Sequence, residues 1–296
     1  MNDWDDYRLV LAIHKGKTLR NAAHELGVNH STVSRRLAVL NKKYGTELVR
    51  KTPTGLSLSP LGEKLLVSAH KIESLVIQDK RFERAQQLES EGDISVSVPP
   101  PIMQFLLLDD LMHFQQTHPR IRLNIHSSYK LANLDECEAD VVIRVSNTPD
   151  EHLVGYRLFS VATQYYAAKD YLKNTPTDRY QWITNTDSGG RPDWIQRSPY
   201  PDAKIGPCIS DLTLRHQAAN SGHGMIRGAC YIAHNFNNLV SLAGTEPEAF
   251  QQIWVLSHPD LAHIDRIQVL KKYLTDALKS KKALLTGESG ICDASE

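Results

Sequence analysis

The 296-residue chain, 41% of it hydrophobic, is too long for one ordinary core and long enough for two or three compact units. Its formal net charge is zero, which by itself argues against a nucleic-acid partner, because phosphate binding depends on an excess of Lys and Arg. The charge is unevenly spread, however: residues 1–62 hold ten Lys and Arg against five acids and so carry +5, which leaves −5 on the rest. A basic amino-terminal segment followed by an acidic remainder is typical of a protein that binds nucleic acid through its amino-terminal part.

The cysteines and the first residues narrow the class of protein further. Four cysteines, at 137, 208, 230 and 292, lie far apart, and none has the Cys-x-x-Cys or Cys/His spacing of a zinc site. The histidines form no His-x-x-x-His pair, so we predict neither a metal nor a cofactor. No basic stretch leads into an apolar one at the start, and no apolar run approaches the roughly 20 residues that cross a bilayer. We therefore expect a cytoplasmic protein.

The first 45 residues carry the apolar spacing of three short helices. The predicted helices span residues 4–15, 19–26 and 30–43. Gly16, Gly27 and Gly45 follow them, because glycine accepts the left-handed backbone that commonly ends a helix. Thr18 and Asn29 precede the second and third helices, where a side-chain oxygen can cap free backbone N–H groups.

A long helix is predicted from residue 59 onward. Ser59 caps its start, and Pro60 fits the first helical position, where no N–H is needed. Apolar residues then recur at threes and fours from Leu61 to Leu88, which predicts about 30 residues of helix, roughly 45 Å long, ending at Gly92. A single apolar stripe on so long a helix needs a cover, and a second copy of the helix is the simplest one. We expect a local helix pair between two copies of the chain.

After Gly92 short β-rich runs alternate with helical ones, which predicts an α/β domain with a largely parallel sheet. The predicted strands lie at residues 94–98, 121–126, 139–145, 157–168, 225–232 and 252–258. The predicted helices lie at 102–116, 212–221 and 265–279. The tail from Thr286 is expected to be disordered.

The strongest local signal runs from Ala22 to Leu37 and reads as two helices packed steeply around a tight turn. Ala23 is small enough for close helix contact, and Gly27 lets the chain reverse. The outward positions at the start of the second helix carry small donors and cations, which suit base edges and phosphates in a major groove. The space beneath is filled by Leu26, Val28, Val33 and Leu37.

A solvated helix hairpin in any α-rich protein would share this pattern, so the segment that follows matters. Residues 48–51 and 56–58 are predicted strands around a Thr52-Pro53-Thr54-Gly55 turn, and Arg50 and Lys51 give this hairpin two cations. Such a hairpin suits a wing that reaches the DNA backbone or the minor groove. The candidate DNA contacts are Thr18, Arg20, Asn29, His30, Ser31, Thr32, Ser34, Arg35, Arg36, Arg50, Lys51 and Thr54.

Together these features resemble the LysR-type transcriptional regulators. The match runs without a gap from about Val10 to Leu65. It is carried by Thr18, Leu19, Ala22, Ala23, Leu26, Val28, Val33, Ser34, Arg35, Leu40, Gly45, Leu48, Leu58 and Gly62. Weaker similarity continues through residues 118–119, 139–144, 153–158 and 168–172. The resemblance therefore covers nearly the whole chain.

The resemblance implies a fold and a set of partners. The implied protein is a regulator and not an enzyme: a homodimer or homotetramer that binds a double-stranded DNA operator, a small-molecule effector and RNA polymerase. Its carboxy-terminal part would have the two-lobed α/β fold of periplasmic solute-binding proteins. The expected parts are a winged helix-turn-helix at 1–58, a linker helix at 59–91, an effector domain at 92–285 and a disordered tail at 286–296.

Four positions depart from the family pattern. His30 stands where the family usually has Gln, Asn41 where it has Glu, Val49 where it has Phe, and Lys51 where it has Arg. Lysine in place of arginine replaces a two-pronged donor with a point charge. We therefore expect an operator preference that differs from those of close relatives.

In the family the effector lies between the lobes, near strand ends and helix starts whose N–H groups favour anions. Here the first such turn is Pro99-Pro100-Pro101, and three prolines remove three N–H donors. The candidate effector contacts are Pro100, Pro101, Ile102, Ser127, Ser128, Arg144, Ser146, Thr163 and Asp211. For several of them a structural role is the stronger expectation: Ser127 and Ser128 as turn caps, Arg144 as an ion pair and Asp211 as an N-cap.

Other functions remain open at this point. An enzyme or a solute-binding module with a helical head would need a nucleophile, base or cofactor loop in residues 93–285, and no such pattern is seen there. A regulator without effector sensing is suggested by the triple proline. Cys208 and Cys230 would form a redox switch only if the fold brought them together, and buried inert thiols are the more common outcome.

Overall fold

The computed structural model describes residues 4–53, 55–85, 91–129, 134, 138–150, 152–185 and 190–289. The chain divides into two compact units, Met1–Arg84 and Ala85–Glu296. Within the described residues no helix has both the length and the apolar character that a membrane span requires.

The first unit consists of three short helices, a hairpin and a long helix. Its elements are α1 Trp4–Gly16, α2 Leu19–Leu26, α3 His30–Tyr44, β1 Val49–Thr52, β2 Gly55–Leu58 and α4 Pro60–Ala85. The predicted short helices and hairpin are confirmed to within about two residues. Their shared core includes Leu9, Ile13, Val33, Leu40 and Leu48, and α1 is so central to it that five consecutive residues, Leu9–Ile13, are buried.

The predicted caps at Thr18, Gly27, Gly45 and Ser59 are confirmed. The prediction for Gly16 is wrong, because Gly16 lies within α1 and the left-handed residue is Lys17, with φ +55°. The Asn21 N–H donates to Thr18 Oγ1 at 3.1 Å, and the Gly62 N–H donates to Ser59 Oγ at 3.2 Å. Asn29 occupies the N-cap position of α3, but its side chain makes no capping hydrogen bond. The predicted side-chain cap is therefore wrong, although the helix begins where expected because Asn29 has the extended backbone of an N-cap.

The apolar stripe of α4 is covered in part by the first unit itself. Leu66 and Ala69 are buried in the same core as the short helices. Val67 and Leu75 remain about 60% exposed and are free to meet another surface. The described helix ends at Ala85, so the remainder of the predicted stretch, residues 86–90, lies outside the described residues.

The second unit has two lobes that share one sheet. Its strands are β3 Gly92–Val98, β4 Ile121–Ser127, β5 Val141–Val145, β6 Val154–Ala168, β7 Gln181–Thr184, β8 Lys204–Cys208, β9 Ile226–Ala229, β10 Leu239–Ser241 and β11 Glu248–Ser257. Its α-helices are α5 Pro100–Ile102, α6 Leu108–Thr117, α7 Lys169–Asn174, α8 Asp193–Gln196, α9 Leu212–Asn220, α10 Cys230–Ala233, α11 Asp265–Ser280 and α12 Lys282–Thr286.

The seven-stranded sheet has the order β10-β6-β11-β5-β3-β4, with β9 also paired to β6. Strands β4, β3 and β5 are parallel, whereas every pairing of β6 and β11 is antiparallel. The prediction of a largely parallel sheet is therefore wrong. The physical reason is that β6 and β11 are long strands of 15 and 10 residues that run through both lobes in opposite directions.

Three local predictions for this unit also need correction. Residues 225–232, predicted as one strand, contain the strand β9 followed by the helix α10. The prediction failed because a short buried apolar run does not distinguish strand from helix. The predicted helix at 102–116 is interrupted by a π-helical turn at Met103–Leu107. Thr286 ends α12, and residues 290–296 of the predicted disordered tail lie outside the described residues.

Each lobe has its own apolar core. The first lobe packs β3 and β5 against the helices α6 and α11, with Phe114 and Leu270 fully buried between them. The second lobe is rich in aromatic side chains, and Trp182 lies at its centre in edge-to-face contact with Tyr165 and Trp194. Two separate cores leave a cleft where the lobes meet.

Candidate nucleic-acid interface and interlobe cavity

The start of α3 presents a polar, exposed edge. His30, Ser31, Ser34, Arg35 and Arg36 are exposed, and Thr32 is half-buried. The opposite face of the same helix carries the buried apolar residues of the core, as a period of 3.6 residues dictates. The helix therefore holds its donors and cations outward on a rigid support.

The turn before α3 depends on a left-handed residue. Gly27 has φ +65° and ends α2, and the Val28 N–H then donates to the Ala23 carbonyl at 3.0 Å. A Cβ atom on Gly27 would meet nothing within 4 Å, so the glycine is needed for its backbone conformation and not for space. Ala22 and Ala23 are both buried, and for Ala23 this agrees with the close helix contact predicted from its small size.

The hairpin is fastened to the turn between α1 and α2. The Leu56 N–H donates to the Lys17 carbonyl at 2.7 Å. Gly55 has φ +125°, and a Cβ atom there would stand 2.7 Å from the same carbonyl oxygen. Because this contact fixes the hairpin, exposed Arg50 and Lys51 project from a supported strand.

The remaining DNA candidates are Thr18, Arg20, Asn29 and Thr54. Thr18, Arg20 and Asn29 are exposed near the two turns, and Thr54 lies outside the described residues. Arg36 Nη1 lies 3.8 Å from Asp5 Oδ2, a long and exposed ion pair. Such a pair contributes little and leaves the guanidinium able to exchange partners.

The second unit contains a cavity of about 730 Å³ lined by both lobes. Its volume is within the range of sites that enclose small organic molecules. The first lobe contributes residues of β3, β5 and the triple-proline turn, and the second lobe contributes residues of β6, β7, β9 and α9. The polar and aromatic lining includes Ser97, Tyr129, Asn185, Asp193, Trp194, Tyr231, Phe250 and Gln251.

Four arginines and one carboxylate, Asp193, stand among the charged residues of the described lining. Arg144 Nη1 pairs with Asp150 Oδ2 at 2.6 Å, and Arg215 Nη1 donates to the Ile209 carbonyl at 3.3 Å. Arg191 Nη2 donates to the carbonyls of Pro201 and Ala203.

The fourth arginine, Arg227, is held by two neighbours. Its Nη2 lies 3.0 Å from Glu248 Oε2, and its guanidinium carbon lies 5.7 Å from the centre of the Phe250 ring. Its Nε, like Thr163 Oγ1, is buried without a hydrogen-bond partner. An unsatisfied buried polar atom costs roughly 1–3 kcal/mol, and both of these atoms belong to residues that line the cavity.

The cavity brings together five of the nine predicted effector residues. They are Pro101, Ile102, Ser128, Arg144 and Thr163. The structural expectation for Arg144 is also met, since its ion pair with Asp150 is present.

The other four predicted effector residues are placed elsewhere among the described residues. Asp211 caps α9 by accepting from the Leu214 N–H at 2.7 Å, as the structural alternative predicted. Ser146 Oγ accepts from the Thr148 N–H at 3.1 Å in a turn. Ser127 is exposed at the end of β4, and Pro100 begins α5.

The cysteines and possible metal ligands support no further chemistry. Cys208 is exposed and Cys230 is buried, and both are free thiols. Burial raises the pKa of the Cys230 thiol, which makes it a poor nucleophile. Cys137 and Cys292 lie outside the described residues, and within the described ones no three His, Cys, Asp or Glu side chains gather as a metal site would need.

Comparison with protein-family models matches both units of the chain. The model described as "Bacterial regulatory helix-turn-helix protein, lysR family" matches residues 4–63, and the model described as "LysR substrate binding domain" matches residues 87–279. The chain belongs to the LysR family. LysR-family proteins are transcriptional regulators and not enzymes; they bind DNA and small-molecule effectors, and they form oligomers.

Curated relatives and solved structures agree with the LysR assignment. The HTH-type transcriptional regulator CrgA of Neisseria meningitidis serogroup B is 26% identical over 241 residues, which cover 76% of this chain and 75% of that protein. The virulence regulatory protein IrgB of Vibrio cholerae is 27% identical over 170 residues, covering 57% of this chain and 55% of that protein.

Two full-length LysR-type structures share the fold. The CrgA structure has a TM-score of 0.54 at 23% identity and covers 95% of this chain and 99% of that one. The Vibrio cholerae virulence activator AphB has a TM-score of 0.58 at 17% identity and covers 93% of this chain and 99% of that one. At such identities the likeness concerns the fold, namely a helix-turn-helix unit followed by a two-lobed domain.

Sequence reasoning missed part of this LysR-family cavity. Arg227 and Tyr231 were placed within one predicted strand, but nothing in that run shows which face meets the other lobe. Arg191 and Trp194 lie beyond the predicted elements altogether. The one available signal for this part of the cavity was an arginine, Arg227, within a predicted strand of the second lobe. An arginine that such a strand buries needs a polar partner, which a ligand can supply.

Proposed function

We propose that this LysR-type regulator binds its operator through the exposed edge of α3 and the β1–β2 hairpin, and that its effector binds in the cavity between the two lobes. The observation that carries the proposal is the rigid presentation of Arg35 and its polar neighbours on a helix whose opposite face is buried. The exposed cations Arg20, Arg50 and Lys51 are then placed to contact phosphates on either side.

The DNA half of the proposal is tested by selection and mutation. Genomic fragments bound by the full-length protein are sequenced, and affinity for the recovered operator is measured by fluorescence anisotropy. Arg35→Ala is expected to weaken operator binding by more than about tenfold, because base and phosphate contacts to one arginine are worth roughly 1–3 kcal/mol. The matched control Arg120→Ala removes an exposed arginine of the second unit and is expected to leave binding unchanged.

The effector half rests on the size and polarity of the cavity. Five predicted residues, among them Thr163 with its unsatisfied hydroxyl, meet Arg227 and its unsatisfied Nε at one cleft, which a regulator without a ligand would not need. A thermal-shift screen of the full-length protein with a metabolite extract tests this half. Stabilisation is the expected result, whereas the absence of any shift would favour the alternative of a regulator that has lost effector sensing.

The assembly and location follow from the DNA-binding role. We propose a homodimer or homotetramer joined in part through the exposed positions Val67 and Leu75 of α4. Operator binding would place the protein in the cytoplasm with the chromosome, where RNA polymerase is the partner through which it acts.

A further inference from the structure

We propose that the effector is an amphiphilic monocarboxylic acid. Its carboxylate would be bound by Arg227 and Thr163 of the second lobe, and its apolar body would lie against the first-lobe wall at Pro99, Pro101 and Ile102. The inference rests on the proposed role of the cavity and adds the chemical class and the orientation of its ligand.

The two polar anchors lie on one face of adjacent strands. In the register of β6 and β9, Thr163 is opposite Ala229 and Tyr165 is opposite Arg227. Thr163 and Arg227 are therefore diagonal neighbours whose side chains share a face, at a separation that one small group can bridge. A carboxylate has two oxygens, so it can accept from Arg227 Nε and from Thr163 Oγ1 together.

Arg227 is held in place before any ligand arrives. Glu248 engages its Nη2, and the Phe250 ring lies beneath its guanidinium. Because Nε is at a different edge of the planar group, the ion pair with Glu248 leaves that donor for a second acceptor. A pre-positioned donor loses little conformational entropy on binding.

The other arginines of the lining offer no second anchor of this kind. Arg144, Arg191 and Arg215 each bond to protein acceptors, namely a carboxylate or main-chain carbonyls. In the described structure none of their nitrogens is buried without a hydrogen-bond partner, whereas Arg227 Nε is. A ligand with a single carboxylate therefore meets the one buried, unsatisfied guanidinium donor of the described lining.

The proline turn of the opposite wall is apolar for a reason visible in the sequence. Pro99, Pro100 and Pro101 lack N–H donors, so the turn before α5 cannot surround an anion as helix starts commonly do. Pro101 and Ile102 are instead buried apolar surface that faces the cavity. A charged group placed there would lose its hydration without replacement, whereas a hydrocarbon body would be stabilised.

The test uses calorimetric titration of the full-length protein with two acids, 3-phenylpropanoate and octanoate, with their neutral amides, and with the small diacid glutarate. At least one monoacid is expected to bind about tenfold or more tightly than its amide and than glutarate. Arg227→Gln is expected to remove the preference for acid over amide, and Thr163→Val to weaken acid binding by about threefold or more. The control Arg120→Gln is expected to change neither the preference for acid over amide nor the affinity for the acid.

The outcomes separate this inference from the function on which it rests. Equal binding of acid and amide, tighter binding of glutarate, or binding by neither monoacid would overturn the ligand class. If a metabolite extract still stabilised the protein in those cases, the effector cavity would stand; if it did not, the proposed sensing function would fail as well. The wild-type ligand series does not depend on any variant, so a poorly folding Arg227→Gln protein would not obscure the result.

Discussion

Gly228 of β9 lies against the imidazole of His216 on α9: a Cβ atom at Gly228 would stand 2.4 Å from His216 Nε2. The imidazole is buried, and its Nδ1–H donates to the Leu212 carbonyl at 2.8 Å. The histidine therefore fills the space that the missing side chain leaves, and together the two residues join α9 to the sheet of the second lobe.

This contact predicts a specific cost for enlarging the glycine. Gly228→Ala is expected to destabilise the second unit by about 1–3 kcal/mol, because a methyl group overlaps a ring that is fixed by its own hydrogen bond. Urea unfolding followed by tryptophan fluorescence measures the change. Gly190→Ala is the matched control, since a Cβ atom there meets nothing within 4 Å. Similar costs at both positions would show that the contact with His216 is not responsible.

The same histidine predicts a pH dependence of stability. Burial, the largest cause, lowers the pKa of His216 from 6.5 to about 4. The folded protein thus favours the neutral ring, while the unfolded chain takes up a proton once the pH falls below about 6.5. The stabilisation is complete above that pH and is lost progressively down to about pH 4, which amounts to roughly 2 kcal/mol between pH 7.5 and pH 5.

Two substitutions check the assignment to His216. Comparison of urea unfolding at pH 7.5 and pH 5 is expected to show a smaller difference for His216→Gln than for the wild type. His113→Gln removes an exposed histidine and is expected to keep the wild-type difference. An unchanged difference in the His216 variant would assign the pH effect to other groups.

The bend at Gly27 predicts an order among substitutions. Since a Cβ atom at Gly27 meets no neighbour, any cost arises from the left-handed backbone. Gly27→Ala is expected to lower the free energy of unfolding by about 1 kcal/mol. The loss is expected to be smaller for Gly27→Asn and larger for Gly27→Val. Thermal unfolding followed by circular dichroism, with operator affinity measured in parallel, gives the order. If asparagine and valine cost the same, the left-handed requirement at this turn would be refuted.

The hairpin cations predict a change in salt dependence. Lys51→Gln is expected to reduce the slope of log K against log salt by about one, because each phosphate contact releases roughly one counterion. Lys272→Gln, an exposed lysine of the second unit, serves as the control and is expected to leave the slope unchanged. Anisotropy titrations on one operator between about 50 and 200 mM salt provide the measurement. A lower affinity at an unchanged slope would mean that Lys51 does not contact a phosphate.

The amino-acid sequence by itself determined the first unit, down to the bend at Gly27 and the cap at Thr18. Every signal there is local: apolar residues three and four apart, a capping hydroxyl, and glycines where the backbone must turn left-handed. For the same reason the polar edge of α3 could be recognised before its position was known. Asn29 shows the limit of such local prediction. An asparagine before a helix predicts a capping hydrogen bond, but the Asn29 side chain does not make one.

Only the tertiary structure decided the second unit's sheet and cavity. The antiparallel course of β6 and β11 depends on pairing between residues 85 or more positions apart, such as Thr163 with Glu248, and no periodicity encodes such a pairing. The pairing of β9 with β6 places Arg227 and Thr163 on one face, and the proline turn some sixty or more residues earlier in the chain lines the same cavity. A ligand site formed by such distant segments exists only after folding, because the residues that would bind the ligand are brought together by the packing of two separate cores.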